Sequence, residues 1–352
     1  MRRPRLNPLS IFALIGGVGV LARELIIRDS EIDLRGKVVF ITGGSRGLGF
    51  LMAQEFAKQG CKLAICARDP EELSRARMAL DEVAAEVMAV PCDISDREQV
   101  KRVVNLVTRH YGQIDILVNN AGVIQVGPIE DTTIEQFEDA MNVIYWGMLY
   151  MTMAVLPQMR ARRAGRVVNI TSVGGKVGVP HLAAYSAAKF AATGLSETLR
   201  AELIKDNIFV TTIAPGIVRD GAQVNAFFTG RQENEYQWFS LSASLPFISL
   251  DGAEAARQIV EAARRGESER VLGAPAKVLS FLHGVAPQLM MGILSVVNQL
   301  ALPKPGGAGK IKRRGMDVQA EMQDTPLTAI TRLGLEAADR NNEYPGPTET
   351  DD

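Results

Sequence analysis

From Lys37 onward short apolar runs alternate with amphipathic ones, and this alternation constrains the fold more than any other feature of the chain. KVVFITGG, KLAICAR, EVMAVPCDI, IDILVNNAG, RVVNITS, IFVTTIAPG and ERVLGAP read as buried strands. Between them lie helical stretches: FLMAQEFAKQG, ended by Gly60, then residues 70–86, 96–111, Thr133 to about Arg162, about Ala183 to Lys205, and 251–265. Strands that are apolar on both faces must be covered on both faces. The pattern therefore predicts an α/β fold with a doubly wound parallel sheet, and ligands gather at the carboxyl ends of its strands.

The first of those ends reads TGGSRGLG, with Gly43, Gly47 and Gly49 between a strand and a helix. Glycines allow a tight turn and the close approach of a pyrophosphate, and the helix start supplies free N–H groups and a positive dipole end. The cofactor expected is a dinucleotide. Arg46 lies inside the turn, and Ala67 and Arg68 end the second strand where an acidic residue would hold a free ribose 2′-hydroxyl. Two arginines accommodate a 2′-phosphate, so NADP(H) is expected over NAD.

A second cluster lies in RVVNITSVGGKVGVPHLAAYSAAKF. Tyr185 and Lys189, four apart on a helix, project from one face, so the ammonium can stabilise a phenolate whose unperturbed pKa is about 10. Ser172, thirteen residues before the Tyr, would hydrogen-bond the oxygen whose proton Tyr185 handles.

With Asp93 after the third strand, NNAG at 119–122 and Pro215-Gly216, these pieces resemble the short-chain dehydrogenase/reductase family of the TGxxxGxG type over about residues 36–275. The resemblance implies a single Rossmann-like domain with a sheet of about seven strands. It also implies cofactor contacts from Gly43, Ser45, Arg46, Gly47, Leu48, Gly49, Arg68, Asp93, Asn120, Ala121, Gly122, Tyr185, Lys189, Pro215, Gly216 and Val218. Tyr185 would be the acid/base, Ser172 the ligand of the substrate oxygen, and Lys189 the residue that binds the nicotinamide ribose and lowers the Tyr185 pKa. A homodimer or homotetramer through the two long helices is implied as well.

Two positions depart from the family pattern. Ile144 stands where family members carry an Asn whose water links the active-site Lys to solvent, and Asn142, two residues earlier on the helix, points about 200° away. Asp220 stands where a Thr hydroxyl is expected near the carboxamide and phosphates. These departures sustain a rival from another class, an NADP-binding sensor or scaffold with little catalysis.

Residues 217–250 read as a substrate lid, with six of the chain's 20 aromatics between Phe227 and Phe247. They either line a pocket for an apolar substrate such as a steroid, retinoid, fatty-acyl or lipid carbonyl, or pin the lid to the core; the pocket is the expectation. From Val278 to Pro303 there are 26 residues without Asp, Glu, Lys or Arg, broken by Pro287, and they predict a bent hairpin or interfacial helix pair over 276–303. Within residues 1–35, MRRPR precedes a charge-free run from Leu6 to Ala22, which resembles a signal peptide. A cytoplasmic cofactor and the lack of a disulfide framework argue against export. The run is expected to lie on or shallowly in a membrane, with packing on the protein itself as the alternative, which places the chain at the cytoplasmic side of a membrane or in the cytoplasm. The polar, acid-ended tail at 304–352 is expected to be mostly disordered. A net charge of −1 argues against nucleic acid, and with three His and no Cys-x-x-Cys no metal site is expected.

Overall fold

The computed structural model describes residues 31–83, 86–322 and 326–345. The charge-free run from Leu6 to Ala22 falls outside these residues. Seven strands form one parallel sheet: β1 (Val38–Thr42), β2 (Lys62–Ala67), β3 (Val87–Pro91), β4 (Ile116–Asn119), β5 (Gly165–Ile170), β6 (Ile208–Pro215) and β7 (Glu269–Leu272). Their order is β7-β6-β5-β4-β1-β2-β3, so the chain reverses its direction of travel between β1 and β4. Neighbouring loops part at such a reversal and open a crevice above the strand ends.

Each strand feeds both faces of the sheet. Val39 and Ile41 of β1 pack with Phe50, Met52 and Phe56 of α1 (Gly47–Lys58) and with Ile259 of α7 (Gly252–Arg265). Val38 and Phe40 pack with Val100 and Val103 of α3 (Arg97–Tyr111) and Met151 and Val155 of the long helix α4 (Ile134–Arg162). Asp69, Asp96 and Asp251 accept backbone N–H bonds at the starts of α2 (Pro70–Asp81), α3 and α7. Arg46 offers no such side-chain cap at the start of α1, so the amides above the glycine turn are left for another anion or acceptor. The long helix α4 carries a π-helical turn at Met141–Trp146 and packs against α5 (Ala183–Leu203), which bears Tyr185 and Lys189.

Beyond β6 the lid contains α6 (Gln232–Ser244). Its aromatics close on one another instead of lining an open pocket: Phe228 lies 5.4 Å from Tyr236 and 5.9 Å from Phe239, ring to ring. They join Val126, Leu182 and Val318 in one cluster, and the cavity beside it, lined by Gln125, His181 and Phe227, holds only about 10 Å³. Burying large rings against each other and against the C-terminal segment removes more apolar surface from water than an open pocket would. Phe247 stays outside, 93% exposed.

The apolar stretch after β7 forms a hairpin, α8 (Ala274–Val285) and α9 (Pro287–Leu300), broken at Ala286, ahead of a proline that cannot continue the first helix. Within it only Ala276 and Met290 are buried, while Phe281 and Leu300 are 67% and 81% exposed. The tail expected to be disordered is instead folded across 304–322 and 326–345. Arg313–Arg314 pair with Phe227–Phe228, α10 (Gly315–Glu321) packs on the lid, and α11 (Pro326–Arg340) lies along α6. Small residues make that contact: Ala337 and Ala338 are buried, and a Cβ on Gly334 would strike Ser244 and Gln223. Polarity of composition misleads here because the polar groups bond to the lid, as the Tyr236 hydroxyl does to Gln319 Oε1 at 2.9 Å.

At the crevice, a Cβ on Gly49 would collide with the Gly43 carbonyl and the Asn120 amide. Gly49→Ala must shift backbone against β4, and overpacking of this kind costs typically about 1–3 kcal/mol. Urea unfolding should show a midpoint lowered by that cost divided by the slope, with the slope itself unchanged.

Candidate active site

The glycine turn is held from the neighbouring strand. The Asn120 side-chain amide donates to the carbonyls of Thr42 (3.1 Å) and Gly43 (3.0 Å), while the N–H groups of Asn120 and Ala121 donate to Thr42 Oγ1 (3.0 and 3.1 Å). Gly43 and Gly47 have φ of +62° and +54°, the left-handed region that glycine adopts at no steric cost. A Cβ on Gly43 would lie 2.9 Å from Ala121 Cα, so the turn and the β4 loop close on each other only because the residue is glycine.

Around this turn the expected polar contacts fall at the strand ends. Arg68 is exposed one residue past β2. Asp93, past β3, accepts from the Ser95 N–H (2.9 Å) and hydroxyl (2.7 Å). Arg46 is already paired, with Glu72 at 2.6 Å and Glu343 at 3.2 Å, and Glu72 also takes the Ser45 hydroxyl. Pro215 ends β6, the Gly216 N–H donates to Leu272 O at 2.9 Å, and Val218 pairs with Leu250 of the lid.

Ser172, just past β5, and Tyr185, on the first turn of α5, meet side by side. The Ser172 hydroxyl accepts from the Gly174 N–H at 3.0 Å, and Ser172 Oγ and the edge of the Tyr185 ring each lie 3.4 Å from the place of a Cβ on Gly174. Lys189 is buried, and its Nζ donates to Ile170 O at 2.8 Å and lies 5.6 Å from the centre of the Tyr185 ring. Burial pushes the Tyr185 phenol up to about 12; the neighbouring Ser172 hydroxyl opposes this and the Asp220 carboxylate adds to it. Burial likewise brings Lys189 down to about 8. The lysine was expected to lower the phenol's pKa, but its ammonium bonds the Ile170 carbonyl and desolvation governs the phenol. Tyr185 thereby keeps its proton at neutral pH.

Ile144 is buried, and its Cγ1 and Lys189 Nζ lie 3.9 and 3.8 Å from the place of a Cβ on Gly122. An apolar side chain thus stands beside the lysine, and Asn142 is exposed to solvent.

Of the further residues at this face, Asp220 stands out in the sequence, whereas Glu343, His181 and Glu235 carry no sequence signal. Asp220 is buried, its carboxyl accepts from the Ala222 N–H (3.1 Å), and its Oδ2 lies 3.7 Å from the place of a Cβ on Gly47, the first residue of α1. The tail reaches the same turn, with Glu343 beside Gly47 and Arg46. His181, with φ of +62°, bonds Glu235 through Nδ1 at 2.8 Å, and the Trp238 Nε1–H donates to the same carboxylate at 2.6 Å, tying the loop before Tyr185 to the lid. A motif of one His or one Glu in a helical run cannot be told from a surface residue until the fold pairs it.

Fold, glycine turn and the Ser-Tyr-Lys face together define an α/β oxidoreductase site. The short chain dehydrogenase profile matches residues 37–229. The chain is 38% identical over 295 residues, 81% of its length and 91% of the other's, to the dehydrogenase/reductase SDR family protein 7-like of Anopheles gambiae. It is 31% identical to 3-ketodihydrosphingosine reductase of Bos taurus, covering 86% of this chain and 94% of that one. A solved short-chain dehydrogenase from Streptomyces avermitilis superimposes with a TM-score of 0.65 at 30% identity, over 75% of this chain and 98% of that one. The chain belongs to the short-chain dehydrogenase/reductase family, whose cofactor is a nicotinamide dinucleotide.

The buried carboxyls give the fold a pH dependence. Burial raises Glu343 from 4.5 to about 8, against the pull of Arg46, and raises Asp220 from 3.8 to about 6. Between these unfolded and folded values the folded chain holds protons that the unfolded chain has lost, so stability falls as pH rises. From about pH 6 to about 8 the slope belongs to Glu343. Thermal unfolding followed across that window should show a melting temperature that declines with pH, and Glu343→Gln should flatten the decline.

Proposed function

We propose that the chain is an NADP(H)-dependent oxidoreductase that interconverts a carbonyl and an alcohol on an apolar, lipid-like substrate at the cytoplasmic side of a membrane. The observation that carries this is the meeting of Ser172 and Tyr185 at Gly174, beside buried Lys189, at the carboxyl ends of the strands. The nicotinamide supplies or accepts the hydride when bound. Ser172 holds the substrate oxygen, Tyr185 gives or takes its proton, and Lys189 keeps the phenol's surroundings positive while it remains charged, below about pH 8.

Arg46 and exposed Arg68 favour the 2′-phosphate of NADP(H). An apolar substrate is supported by two observations. A relative is named for its action on 3-ketodihydrosphingosine, and the α8–α9 hairpin presents Val278, Phe281, Leu289 and Leu300 to the outside, as a surface dipping into a bilayer would. One helix among the described residues, Ile134–Arg162, is long and apolar enough to cross a membrane, yet its inner side belongs to the core of the fold. Its exposed Trp146 and Met153, with Phe190 of α5, suit a homodimer or homotetramer through the long helices. A lid whose aromatics close on one another opens to admit such a substrate. The rival, a dinucleotide-binding sensor or scaffold that turns over slowly, is favoured by Ile144 beside the lysine and by Asp220 at the start of α1.

Fluorescence titration should give NADPH a Kd at least tenfold below that of NADH, since lost phosphate contacts are worth more than about 1.4 kcal/mol. A panel of long-chain and steroid ketones followed by nicotinamide absorbance should show turnover, reduced about 10²-fold or more in Tyr185→Phe. Equal affinities would end the NADP assignment, and tight NADPH binding without turnover of any ketone would favour the rival.

A further inference from the structure

The start of α1 is covered by the chain's own C-terminus. Past α11, the Asn341 carbonyl accepts the Gly47 N–H at 2.9 Å, and the Asn341 amide donates to Asp220 O at 2.8 Å. Asn342 donates to Ser45 O (2.8 Å) and Glu72 O (3.1 Å) and accepts from Arg75 Nε (3.0 Å), while Arg75 also reaches Tyr344 O at 3.4 Å. Glu343 Oε1 stands where a Cβ on Gly47 would go. Its Oε2 takes Arg46 Nε at 3.2 Å and Asn225 Nδ2 at 2.7 Å. Asn341 and Glu343 are 7% and 5% exposed.

These are the donors an anionic ligand would use: an amide at the helix start, the glycine whose missing side chain leaves room, and the arginine of the turn. The Glu343 side chain and a phosphate cannot hold them together, and the Asp220 carboxyl, 3.7 Å from the place of a Cβ on Gly47, would add repulsion to any phosphate arriving beside Glu343. The glycine turn admits a dinucleotide by its shape, yet the tail fills it.

We propose that the segment Asn341–Tyr344 is a built-in competitor of the dinucleotide, docked on the glycine turn and displaced when the phosphates bind. This rests on the cofactor reading above. The apparent affinity for the cofactor is then reduced by the fraction of chains whose turn is free. If a tenth or fewer are free, removing the segment tightens binding at least tenfold. The segment is fastened by backbone and amide bonds to elements that stay in place, and it ends a helix that remains packed on the lid, so it can leave without unfolding α11.

Two experiments on the full chain and its variants decide. NADPH titration of the intact chain, of a chain ending at Arg340, and of the double variant Asn342→Ala with Glu343→Ala should give at least tenfold tighter binding in both altered forms. In the intact chain, trypsin cleavage after Arg340, read by mass spectrometry as release of the peptide from residue 341, should accelerate when NADPH is added. Equal or weaker NADPH binding after removal, or protection of Arg340 by NADPH, would overturn the proposal and make the tail a supporting part of the cofactor site. Failure of all three forms to bind either NADPH or NADH would overturn the dinucleotide reading itself and the competition with it.

Discussion

One side-chain amide fixes the working end of this molecule. Asn120 bridges from the end of β4 to the carbonyls of Thr42 and Gly43 at the end of β1, across the reversal in strand order. Neutral hydrogen bonds of this kind are worth about 1 kcal/mol each net, but unmaking them would strand buried acceptors at a greater cost. The turn is therefore held in a single shape, with Gly43 and Gly49 giving the clearance that lets two loops meet. Everything that depends on a fixed α1 start follows: its orphan amides, the position of Arg46, and the distance to the Ser-Tyr-Lys face.

Desolvation sets the chemistry at that face. Tyr185 is driven up and Lys189 down by the same burial, so the phenol keeps its proton and the lysine sits closer to giving its own away. Asp220 and Glu343, also buried, are raised towards neutrality near the phosphate end. An entering phosphate therefore meets Arg46 already held by the side chains of Glu72 and Glu343. Binding must exchange those partners, which couples the tail, the turn and the lid through Asn225 and Asp220.

Much of the fold was legible because its signals are local. Strand and helix periods, the glycine spacing, and Tyr185 four residues before Lys189 all express themselves within a few residues, and the parallel sheet follows from them. Ile144 could likewise be placed beside Lys189 from helical geometry, and both converge on Gly122. What could not be read depends on long-range pairing. The lid aromatics have the same composition whether they line a pocket or close on one another, and only the arrival of Val318 and Gln319 from the tail decides for closure. The tail itself looks solvated because Asn341, Asn342 and Glu343 are polar, but Asn341 and Asn342 donate to backbone carbonyls and Glu343 accepts from the Asn225 amide, all on residues more than a hundred positions away. His181 and Glu235, buried as a pair, were silent for the same reason.

The central claim is that Ser172, Tyr185 and Lys189 reduce a carbonyl with hydride from the cofactor. The most direct test is a single-turnover reaction with NADPH carrying deuterium at the transferred C4 position and a long-chain ketone, with the alcohol analysed by mass spectrometry. Deuterium on the carbinol carbon, absent when Tyr185→Phe is used, is the result predicted. Unlabelled ketone recovered intact from a chain that binds the labelled NADPH would contradict it.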